Sequence, residues 1–539
     1  MTTEMKKLPI GIQTFEKIRE EGYLYVDKTK YLLELIENGA VYFLARPRRF
    51  GKSLTVSTFD ALFSGKKELF KGLYAEEFMS RSDFKPSPVI RLDLSKVTTV
   101  NGIDVFQQSI EQGILEAAEK LQVPIQQNLS LGDSFRNLIS ETAKKYNSKV
   151  VILIDEYDKP STDFIDDIVM ANKIREILRS YYVQIKANDE YLRFAFMTGI
   201  SKFTKFGVFS TLNNVQDISV VEKYGQICGI THEELLQYFP QHIEATAQKF
   251  QIPADELTQK IKNYYDGFCF DIGGKNRLYN PFSTLYFFQF QEFLNYWIES
   301  GTPSMLAKYM KERNLTVEQF RNYPYSKNDL FNSKEIENTS PENYLYQCGY
   351  LSIRPGTTNE YALDYPNTEV LNAMSELVSD NLLHKKNEHI NNYKSQLLIA
   401  LSTWNYELLV ETFNTLLASI PYDDFYAAAR QNVLVNGYKF PVQEWLYRST
   451  ILAFLRGCGI ATVAEMHTNL GRADMVVTHK GNTFILELKV AYADENPSDK
   501  AEEALRQIRE KNYAKPYPNA TCIGLAIDDK KRQITEFRV

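Results

Sequence analysis

The chain has 539 residues, of which 44% are hydrophobic, 13% aromatic and 24% charged, and its formal net charge is −6 at pH 7. This length predicts two to four domains of about 100–200 residues each, and the composition is typical of globular rather than disordered or fibrous chains. The negative charge excludes a surface that attracts nucleic acid everywhere, so any contact with phosphates requires a local basic groove.

Cysteine usage and hydropathy indicate the compartment. The five cysteines lie far apart without a CxxC pair, which argues against a disulfide framework or a zinc site and fits a reducing compartment. The first twenty residues lack the apolar segment of a signal peptide, and no run approaches the roughly 18 apolar residues of a membrane span. We therefore expect a soluble, cytoplasmic protein without a membrane partner, and no oligomeric state follows from these features.

Strands and helices alternate along the first 200 residues. A helix with Asp27 as its N-cap and Gly39 as its stop precedes the apolar strand Ala40 to Ala45, the turn RPRRFGKS and the helix KSLTVSTFDALF. Further apolar strands read PVIRLDL, KVVILID and LRFAFMTG. This alternation predicts an α/β domain with a parallel sheet and helices on both faces.

The turn after the first strand carries most of a phosphate-binding pattern. Lys52 and Ser53 follow Gly51 at a strand-to-helix junction, where GxxxxGK[ST] ends. Backbone N–H groups, the lysine and the hydroxyl would contact phosphates and Mg²⁺. Arg46 replaces the first glycine of the pattern, so it either contacts phosphate itself or narrows the loop and reduces turnover. The predicted ATP contacts in this turn are Arg46, Arg48, Arg49, Gly51, Lys52 and Ser53.

A GKS tripeptide alone also fits a helix that begins with a surface lysine, and a second motif favours the nucleotide site. VVILIDEYD ends a buried strand with Asp155 and Glu156, about 100 residues after Lys52. Asp155 and Ser53 are predicted to hold Mg²⁺, and Glu156 is predicted to orient an attacking water. Thr198 and Ser201 end another strand, where either could sense the ligand or cap the strand. The sequence predicts ATP binding and leaves hydrolysis open.

The middle of the chain has a different character. From about residue 280 it is rich in aromatic residues, and the strand-like pieces YLSIRP and EYALDY flank the turn GTTN. A helix that leads into such a hairpin resembles a winged-helix connector. We predict a P-loop NTPase domain over residues 1–285, a helical or winged-helix-like connector over 286–390 and a restriction-endonuclease-like α/β domain over 391–539.

The last hundred residues predict an α-β-β-β-α-β order with one further strand at the end, preceded by helices. Helices are expected from about Asn391 to Arg430 and from Val442 to Arg456, followed by three strands. A helix from Asp499 to Tyr513, with Glu502 at the capping-box spacing, then leads to two final strands.

Two carboxylates face each other in the hairpin LGRADMVVTHKGNTFILELKV. If the loop is His479 to Asn482, then Val477 faces Phe484 and Asp474 faces Glu487. Opposed like charges destabilise a hairpin unless a cation lies between them, so the pair predicts a site for Mg²⁺ or Mn²⁺. Period-two alternation places Lys489 on the same face, where it could orient or deprotonate a metal-bound water or stabilise charge at phosphorus. The alternative is a solvated hairpin face with a chance ELK tripeptide.

This hairpin resembles the fingerprint of the PD-(D/E)XK nuclease superfamily. The resemblance implies a helical glutamate before the hairpin and a helical glutamine after it, and Glu444 and Gln507 occupy those places. The proline of the motif is absent, and Arg472 and Ala473 precede Asp474 instead.

Further segments extend the resemblance along nearly the whole chain. They are RPRRFGKS, LIDEYD, FSTLNNVQDIS, YDGF, YNPFS, YWIESGTP, LYQCGYLSI and YPNTEV. Together they resemble a bacterial family of AAA-ATPase-like proteins with a C-terminal PD-(D/E)XK nuclease-like domain. The resemblance implies that arginine is the usual residue at position 46. Asn213, Asn214 and Asp217 belong to the shared signature without an assigned chemistry.

Three functions fit these motifs. The first is an ATP-regulated, Mg²⁺-dependent nuclease acting on DNA, in which Asp474, Glu487 and Lys489 carry the chemistry with support from Gln507 and Glu444. The second is a nucleotide-dependent switch that binds nucleic acid without cutting it, which the missing glycine favours. The third is an interaction protein with two vestigial sites, which would require both motifs to persist by accident.

Overall fold

The structure is a computed structural model of the chain. It describes residues 5–98, 102–126, 129–164, 167–200, 214–297, 320, 323–325, 340–355, 361–383, 387–418, 434–435, 438–439, 442–468, 471–492 and 494–539. These residues form two compact units, one comprising residues 1–300 and 322–369 and the other residues 301–321 and 370–539. The three-part division at residues 285 and 390 stays a prediction.

A parallel sheet forms the centre of the first unit. Its strands are β1 (Val41–Ala45), β2 (Val89–Asp93), β3 (Val150–Asp155), β4 (Leu192–Gly199) and β5 (Gln216–Asp217), in the order β2-β3-β4-β1-β5. All residues of β1 and β3 are buried, as expected for strands covered on both faces. The predicted parallel α/β sheet is therefore confirmed, and the chain segments after β1, β3 and β4 lie at its carboxyl edge.

Some helices of the first unit pack on this sheet, and others form a second apolar core in the same unit. Their bounds are α1 (Phe15–Glu20), α2 (Thr29–Asn38), α3 (Lys52–Phe63), α4 (Glu76–Ser80), α5 (Ile103–Lys120), α6 (Leu131–Tyr146), α7 (Lys159–Thr162), α8 (Ile168–Ala187), α9 (His232–Tyr238), α10 (Pro240–Phe250), α11 (Ala254–Tyr265), α12 (Pro281–Phe290) and α13 (Pro341–Cys348). Apolar residues of α5, α6 and α8 form one core with β1, β2, β3 and β4.

The N-cap predicted for α2 was wrong by one residue. Lys28 occupies the cap position, and the Asp27 carboxylate instead accepts hydrogen bonds from the backbone N–H groups of Thr29 (2.8 Å) and Tyr74 (2.7 Å). Asp27 thus ties the start of α2 to a distant loop, which a local pattern does not reveal.

The predicted hairpin of the middle segment forms. Strands β7 (Ser352–Pro355) and β8 (Tyr361–Asp364) pair antiparallel, and β6 (Tyr323–Tyr325) adds to β8. The GTTN turn lies outside the described residues.

A mixed sheet forms the centre of the second unit. Its strands β11 (Ala461–Thr468), β12 (Gly471–His479), β13 (Asn482–Ala491), β14 (Thr521–Asp528) and β15 (Gln533–Arg538) follow chain order. Neighbours are antiparallel except β13 and β14, which are parallel. A separate short pair joins β9 (Leu434–Val435) to β10 (Tyr438–Lys439).

Helices cover both faces of this sheet. They are α15 (Asn387–Thr403), α16 (Tyr406–Leu417), α17 (Val442–Gly457) and α18 (Pro497–Glu510), and α14 (Thr368–Leu383, whose first two residues belong to the first unit) precedes them in the chain. Helices α15, α16 and α17 share a core with Phe484, Leu486 and Leu488, which confirms the predicted core face of β13. Residues 419–430 of the predicted helical stretch lie outside the described part of the chain.

Helix α18 connects β13 to β14 and packs on the opposite face of the sheet. A Cβ on Gly524 of β14 would lie 2.5 Å from the Ala501 carbonyl oxygen and 2.6 Å from the Leu505 nitrogen, so only glycine admits this close approach. The predicted start of α18 at Asp499 was wrong, because the helix begins at Pro497 and is capped by Asn496.

None of the helices in the described parts of the chain is both long and apolar enough to cross a bilayer.

Candidate functional site

The loop after β1 is held by the buried side chain of Arg46. Its guanidinium group donates hydrogen bonds to the carbonyl oxygens of Ser219 (2.7 Å), Ala45 (2.9 Å) and Tyr224 (3.2 Å), and it lies 4.6 Å from the ring centroid of Phe270. The arginine that replaces the first glycine therefore fastens the loop to other backbone segments. The phosphate contact predicted for it stays a prediction.

Lys52, the first residue of α3, is buried and points back into the same loop. Its Nζ donates hydrogen bonds to the carbonyl oxygens of Arg46 (3.0 Å) and Pro47 (2.9 Å). Burial lowers the pKa of Lys52, and the negative charges of Glu156 and Asp155 oppose that shift. The lysine thus lies between the loop carbonyls and the acidic end of β3.

The carboxyl end of β3 lies beside the start of α3. A hydrogen bond from Ser53 and the charge of Lys52 lower the pKa of Asp155, but burial outweighs both and raises it. Burial also raises the pKa of Glu156, whose backbone has a left-handed φ of 51°. The predicted pair of Ser53 and Asp155 is therefore in contact, and a cation would stabilise these carboxylates in their charged form.

Two acidic residues of this edge were missed by the sequence reasoning. Asp93 ends β2 directly beside Asp155 in the strand register. The Asp158 carboxylate accepts the Ile200 N–H at distances of 3.2 and 3.1 Å, which links the segments after β3 and β4. The sequence pattern could have indicated Asp93, because β2, like β3, is an apolar run that ends in aspartate. No comparable pattern marks Asp158.

The remaining residues of the turn have distinct surroundings. Arg48 is exposed, and its carbonyl oxygen accepts a hydrogen bond from Trp297 Nε1 at 3.4 Å. The Arg49 guanidinium lies 3.7 Å from the ring centroid of Phe282, on a backbone with φ of 65°. Gly51 has φ of 93° directly before α3, a conformation that suits glycine.

An apolar cavity of about 100 Å³ adjoins the beginning of α3. Gly51 and Leu54 line one side, and Leu24, Ile230 and Pro281 are among the residues that line the others. Thr198 is fully buried at the end of β4, and its hydroxyl has no hydrogen-bond partner among the described residues. Ser201 and Asn213 lie outside the described residues.

In the second unit, the hairpin of β12 and β13 has the predicted register. Val477 pairs with Phe484, and the ladder ends at Met475 and Leu486. The turn is tighter than predicted, because His479 and Asn482 pair and only two residues connect them. The register beyond the ladder sets Asp474 opposite Glu487.

At Asp474 and Glu487, carboxylate oxygens accept hydrogen bonds from backbone N–H groups of the opposite strand, in place of the backbone carbonyl oxygens of a regular ladder. Oε2 of Glu487 accepts the N–H of Asp474 at 3.1 Å, and Oδ2 of Asp474 accepts the N–H of Leu488 at 2.8 Å. Each carboxylate is thereby fixed against the opposite strand. Both residues lie directly beyond the last paired residues of the hairpin, Met475 and Leu486. The two hydrogen bonds fix the position of each carboxylate relative to the other.

Lys489 and Gln507 approach the same glutamate. Nζ of Lys489 lies 3.8 Å from Oε1 of Glu487, as period-two alternation predicts, and the Gln507 amide of α18 donates a hydrogen bond to the same oxygen. Gln507 Nε2 also lies 3.4 Å from the Tyr513 hydroxyl. The structure therefore brings the predicted residues Asp474, Lys489 and Gln507 together around the carboxylate of Glu487.

Glu487 is only 2% exposed, and burial raises its pKa to about 8 with a further contribution from the negative charge of Asp474. The positive charge of Lys489 acts in the opposite direction. Glu487 is thus a buried acid whose charged form needs more positive charge than the surrounding side chains supply.

Helix α17 contributes two charged residues. Burial raises the pKa of Glu444, while the positive charge of Lys489 lowers it and the negative charge of Asp474 raises it further. One helical turn later, Nη1 of Arg448 lies 3.2 Å from Oδ1 of Asp474, and both side chains are nearly buried. Arg448 was missed by the sequence reasoning, since nothing in VQEWLYRST distinguishes it from a surface arginine.

The donor set fits a hard divalent cation. Asp474 and Glu487 offer carboxylate oxygens, the ligands that Mg²⁺ and Mn²⁺ prefer. Within the described residues no group of three or more His, Cys, Asp or Glu side chains is arranged to hold a metal. Water would therefore have to complete the coordination, as is usual for Mg²⁺.

Two solved structures match much of the chain at low similarity. They are the ORC2 protein of Aeropyrum pernix, determined as ADPNP-ADP complexes, and CDC6P from Pyrobaculum aerophilum. The first is 11% identical, with a TM-score of 0.28, and the match covers 71% of this chain and 96% of that one. The second is 10% identical, with a TM-score of 0.25, and the match covers 67% and 93%.

Family models and a curated relative match far more specifically. Residues 9–209 match the model of a predicted AAA-ATPase, and residues 442–537 match the PD-(D/E)XK nuclease superfamily. An uncharacterized protein in the vnfD 5' region of Azotobacter chroococcum mcd 1 is 34% identical over 531 residues, which are 95% of this chain and 94% of that protein. This chain therefore belongs to the family of proteins that join an AAA-ATPase-like domain to a C-terminal PD-(D/E)XK nuclease superfamily domain.

Proposed function

We propose that this chain is a nucleotide-regulated nuclease that hydrolyses phosphodiester bonds of nucleic acid, with DNA as the favoured substrate, in the cytoplasm. The observation that carries this proposal is the convergence of Asp474, Glu487, Lys489 and Gln507 at the open end of one hairpin. Two buried carboxylates that face each other destabilise a sheet unless a cation binds between them.

Asp474 and Glu487 would hold Mg²⁺ or Mn²⁺, which supplies Lewis acidity toward the phosphate and lowers the pKa of a bound water. Gln507 keeps the Glu487 carboxylate in place through its hydrogen bond. Lys489 would either orient and deprotonate the attacking water or stabilise the charge that develops on the phosphoryl oxygens. As the water oxygen bonds to phosphorus, the bond from phosphorus to the leaving sugar oxygen breaks. Glu444 supports this cluster from α17.

The first unit would bind ATP with Mg²⁺. Lys52 Nζ would exchange the carbonyl oxygens of Arg46 and Pro47 for phosphate oxygens, and Ser53 and Asp155 would hold the metal. The apolar cavity beside Gly51 suits the nucleotide base. Glu156 is the residue that would orient a water if ATP is hydrolysed.

Cleavage assays test the nuclease. Single- and double-stranded DNA and RNA are incubated with the full chain and Mg²⁺ or Mn²⁺, with and without ATP. Glu487→Ala should abolish cleavage and leave ATP binding intact, whereas Glu510→Ala, an exposed glutamate of α18, should cut like the unchanged protein. Equal cleavage by Glu487→Ala would contradict the proposal.

A nucleotide-dependent switch that binds nucleic acid without cutting it is the second candidate. The buried Arg46 favours it, because its backbone contacts suit a loop that holds a nucleotide rigidly more than one tuned for turnover. A pure switch predicts negligible ATP turnover in both the unchanged chain and Lys52→Ala. An ATPase predicts turnover that only Lys52→Ala loses.

A further inference from the structure

The carboxylate of Asp474 already has a cation. Arg448 Nη1 lies 3.2 Å from Oδ1, and the two side chains are 10% and 12% exposed. The other oxygen, Oδ2, accepts the Leu488 N–H at 2.8 Å. Both oxygens of a proposed metal ligand are therefore engaged by the protein itself.

The charges around Asp474 show why this ion pair matters. Among the described residues, Arg448 and Lys489 are cations that face the carboxylates of Asp474, Glu487 and Glu444, and Glu503 adds a further negative charge near Glu444. Lys489 lies near Glu487, at 3.8 Å from Oε1. Arg448 thus provides the positive charge at Asp474 that a divalent cation would provide there.

We propose that Arg448 is a positioning residue that acts as the built-in counter-ion of Asp474, and that a divalent cation must displace it. This inference rests on the proposed function, in which Asp474 and Glu487 hold the metal. If the guanidinium stayed in place, about 5 Å from a bound divalent cation, their repulsion would lower the metal affinity by roughly tenfold even with the screening of bulk water, and this is why the cation must displace it. Arg448 therefore lowers the metal affinity of the site and holds its carboxylate in place before the metal arrives.

The proposal has a second consequence for stability. Without metal, loss of Arg448 leaves the nearly buried Asp474 carboxylate without its ion pair, which destabilises the fold. Metal binding then stabilises a chain that lacks Arg448 more than the unchanged chain, because at a given concentration a ligand that binds the folded state more tightly stabilises it more. This link does not depend on catalytic activity.

Binding of Mn²⁺ to the full chain, measured by calorimetry without nucleotide or nucleic acid, tests the inference. Arg448→Met removes the charge and keeps the length of the side chain, and Arg448→Lys keeps the charge. Arg448→Met should bind Mn²⁺ at least about tenfold more tightly, and Arg448→Lys should bind like the unchanged chain. Arg506→Met, which removes an exposed arginine of α18, should also leave affinity unchanged.

Asp474→Asn identifies the binding that belongs to this site. If Asp474→Asn removes a binding event and Arg448→Met does not strengthen that event, the inference is overturned while the metal site stands. If neither the unchanged chain nor Arg448→Met binds Mn²⁺ in a manner that depends on Asp474, the metal site fails and the inference with it. Tight binding by Arg448→Met alone supports the inference.

Thermal unfolding provides a second measurement should Arg448→Met fold poorly. In the presence of EDTA, Arg448→Met should lower the melting temperature of the chain, and Asp474→Asn combined with it should recover most of the loss. Mn²⁺ should raise the melting temperature of Arg448→Met more than that of the unchanged chain. An equal rise in both would overturn the inference.

Discussion

The ammonium group of Lys52 lies 3.0 Å from the carbonyl oxygen of Arg46, the residue that stands where the P-loop pattern has its first glycine. The lysine thus already bonds to the loop that it would serve in nucleotide binding. Phosphate oxygens would have to replace loop carbonyls as its acceptors, and this exchange would be favourable because phosphate oxygens are charged.

Lys52→Ala should weaken nucleotide binding by roughly ten- to a hundredfold, because a charge-assisted hydrogen bond contributes about 1.5–3 kcal/mol. Titration with a fluorescent ATP analogue and Mg²⁺ measures the change. Lys67→Ala, which removes an exposed lysine after α3, is the matched control. Equal affinity in the two variants would exclude Lys52 from the nucleotide site.

Arg46→Ala should lower the free energy of unfolding by about 2–4 kcal/mol, because it leaves buried carbonyl groups without their donor. Arg46→Lys should not restore the loss, since an ammonium group cannot reach the same set of carbonyl oxygens in one plane. Denaturant unfolding followed by circular dichroism measures this. Arg48→Ala, at an exposed position of the same loop, should change stability by less than about 0.5 kcal/mol. A neutral effect of Arg46→Ala would contradict the anchoring role.

Gln507→Leu should slow nucleic-acid cleavage by roughly ten- to a hundredfold, the usual effect of losing a residue that holds a metal ligand. The leucine keeps the size of the side chain and removes the hydrogen bond to Glu487. Single-turnover cleavage rates measure the loss, and Arg506→Ala on the solvent side of the same helix serves as the control. If Gln507→Leu cuts at the unchanged rate, the hydrogen bond has no part in the chemistry.

Gly524→Ala should destabilise the second unit by about 1–3 kcal/mol, since the new methyl group meets backbone atoms of α18 that cannot move independently. Helix α18 would shift away from β14 and carry Gln507 with it. Gly113→Ala in α5 is the control, because a Cβ there has nothing within 4 Å and alanine favours a helix. Thermal unfolding compares the two, and a stabilising effect of Gly524→Ala would show that the helix is not held so closely.

Glu369 makes the stability of the first unit depend on pH. Burial raises its pKa from 4.5 to about 8, although the Trp297 N–H donates to it at 2.9 Å. The folded chain therefore binds more protons than the unfolded chain between these two values. Its contribution to stability is complete below pH 4.5 and is lost as pH rises toward 8, by up to about 1.4 kcal/mol per unit.

Glu369→Gln should flatten this dependence. Denaturant unfolding at pH 5, 6, 7 and 8 should show the unchanged chain losing stability relative to Glu369→Gln as pH rises. Glu119→Gln, at an exposed position of α5, should follow the unchanged chain at every pH. Parallel curves for Glu369→Gln and the unchanged chain would show that Glu369 titrates near its ordinary pKa.

Local patterns predicted the strands and the hairpin register because backbone geometry imposes their period. Buried parallel strands are continuous apolar runs, so β1, β3 and β4 were found within a residue of their bounds. Period-two alternation and a short turn placed Asp474 opposite Glu487 and Lys489 beside it. The helix caps at Asp27 and Asp499 failed, because several polar residues near a helix start can fill that position.

The sequence by itself therefore determined which elements form and which carboxylates meet within one hairpin. Only the tertiary structure decided what surrounds them, because contacts between distant segments depend on how helices pack on sheets. It placed Arg448 on Asp474, 26 residues away, and buried Arg46 under carbonyl groups more than 170 residues away. The sequence does not show whether a charged side chain is exposed to water or buried against a partner, because that difference depends on how distant segments pack together.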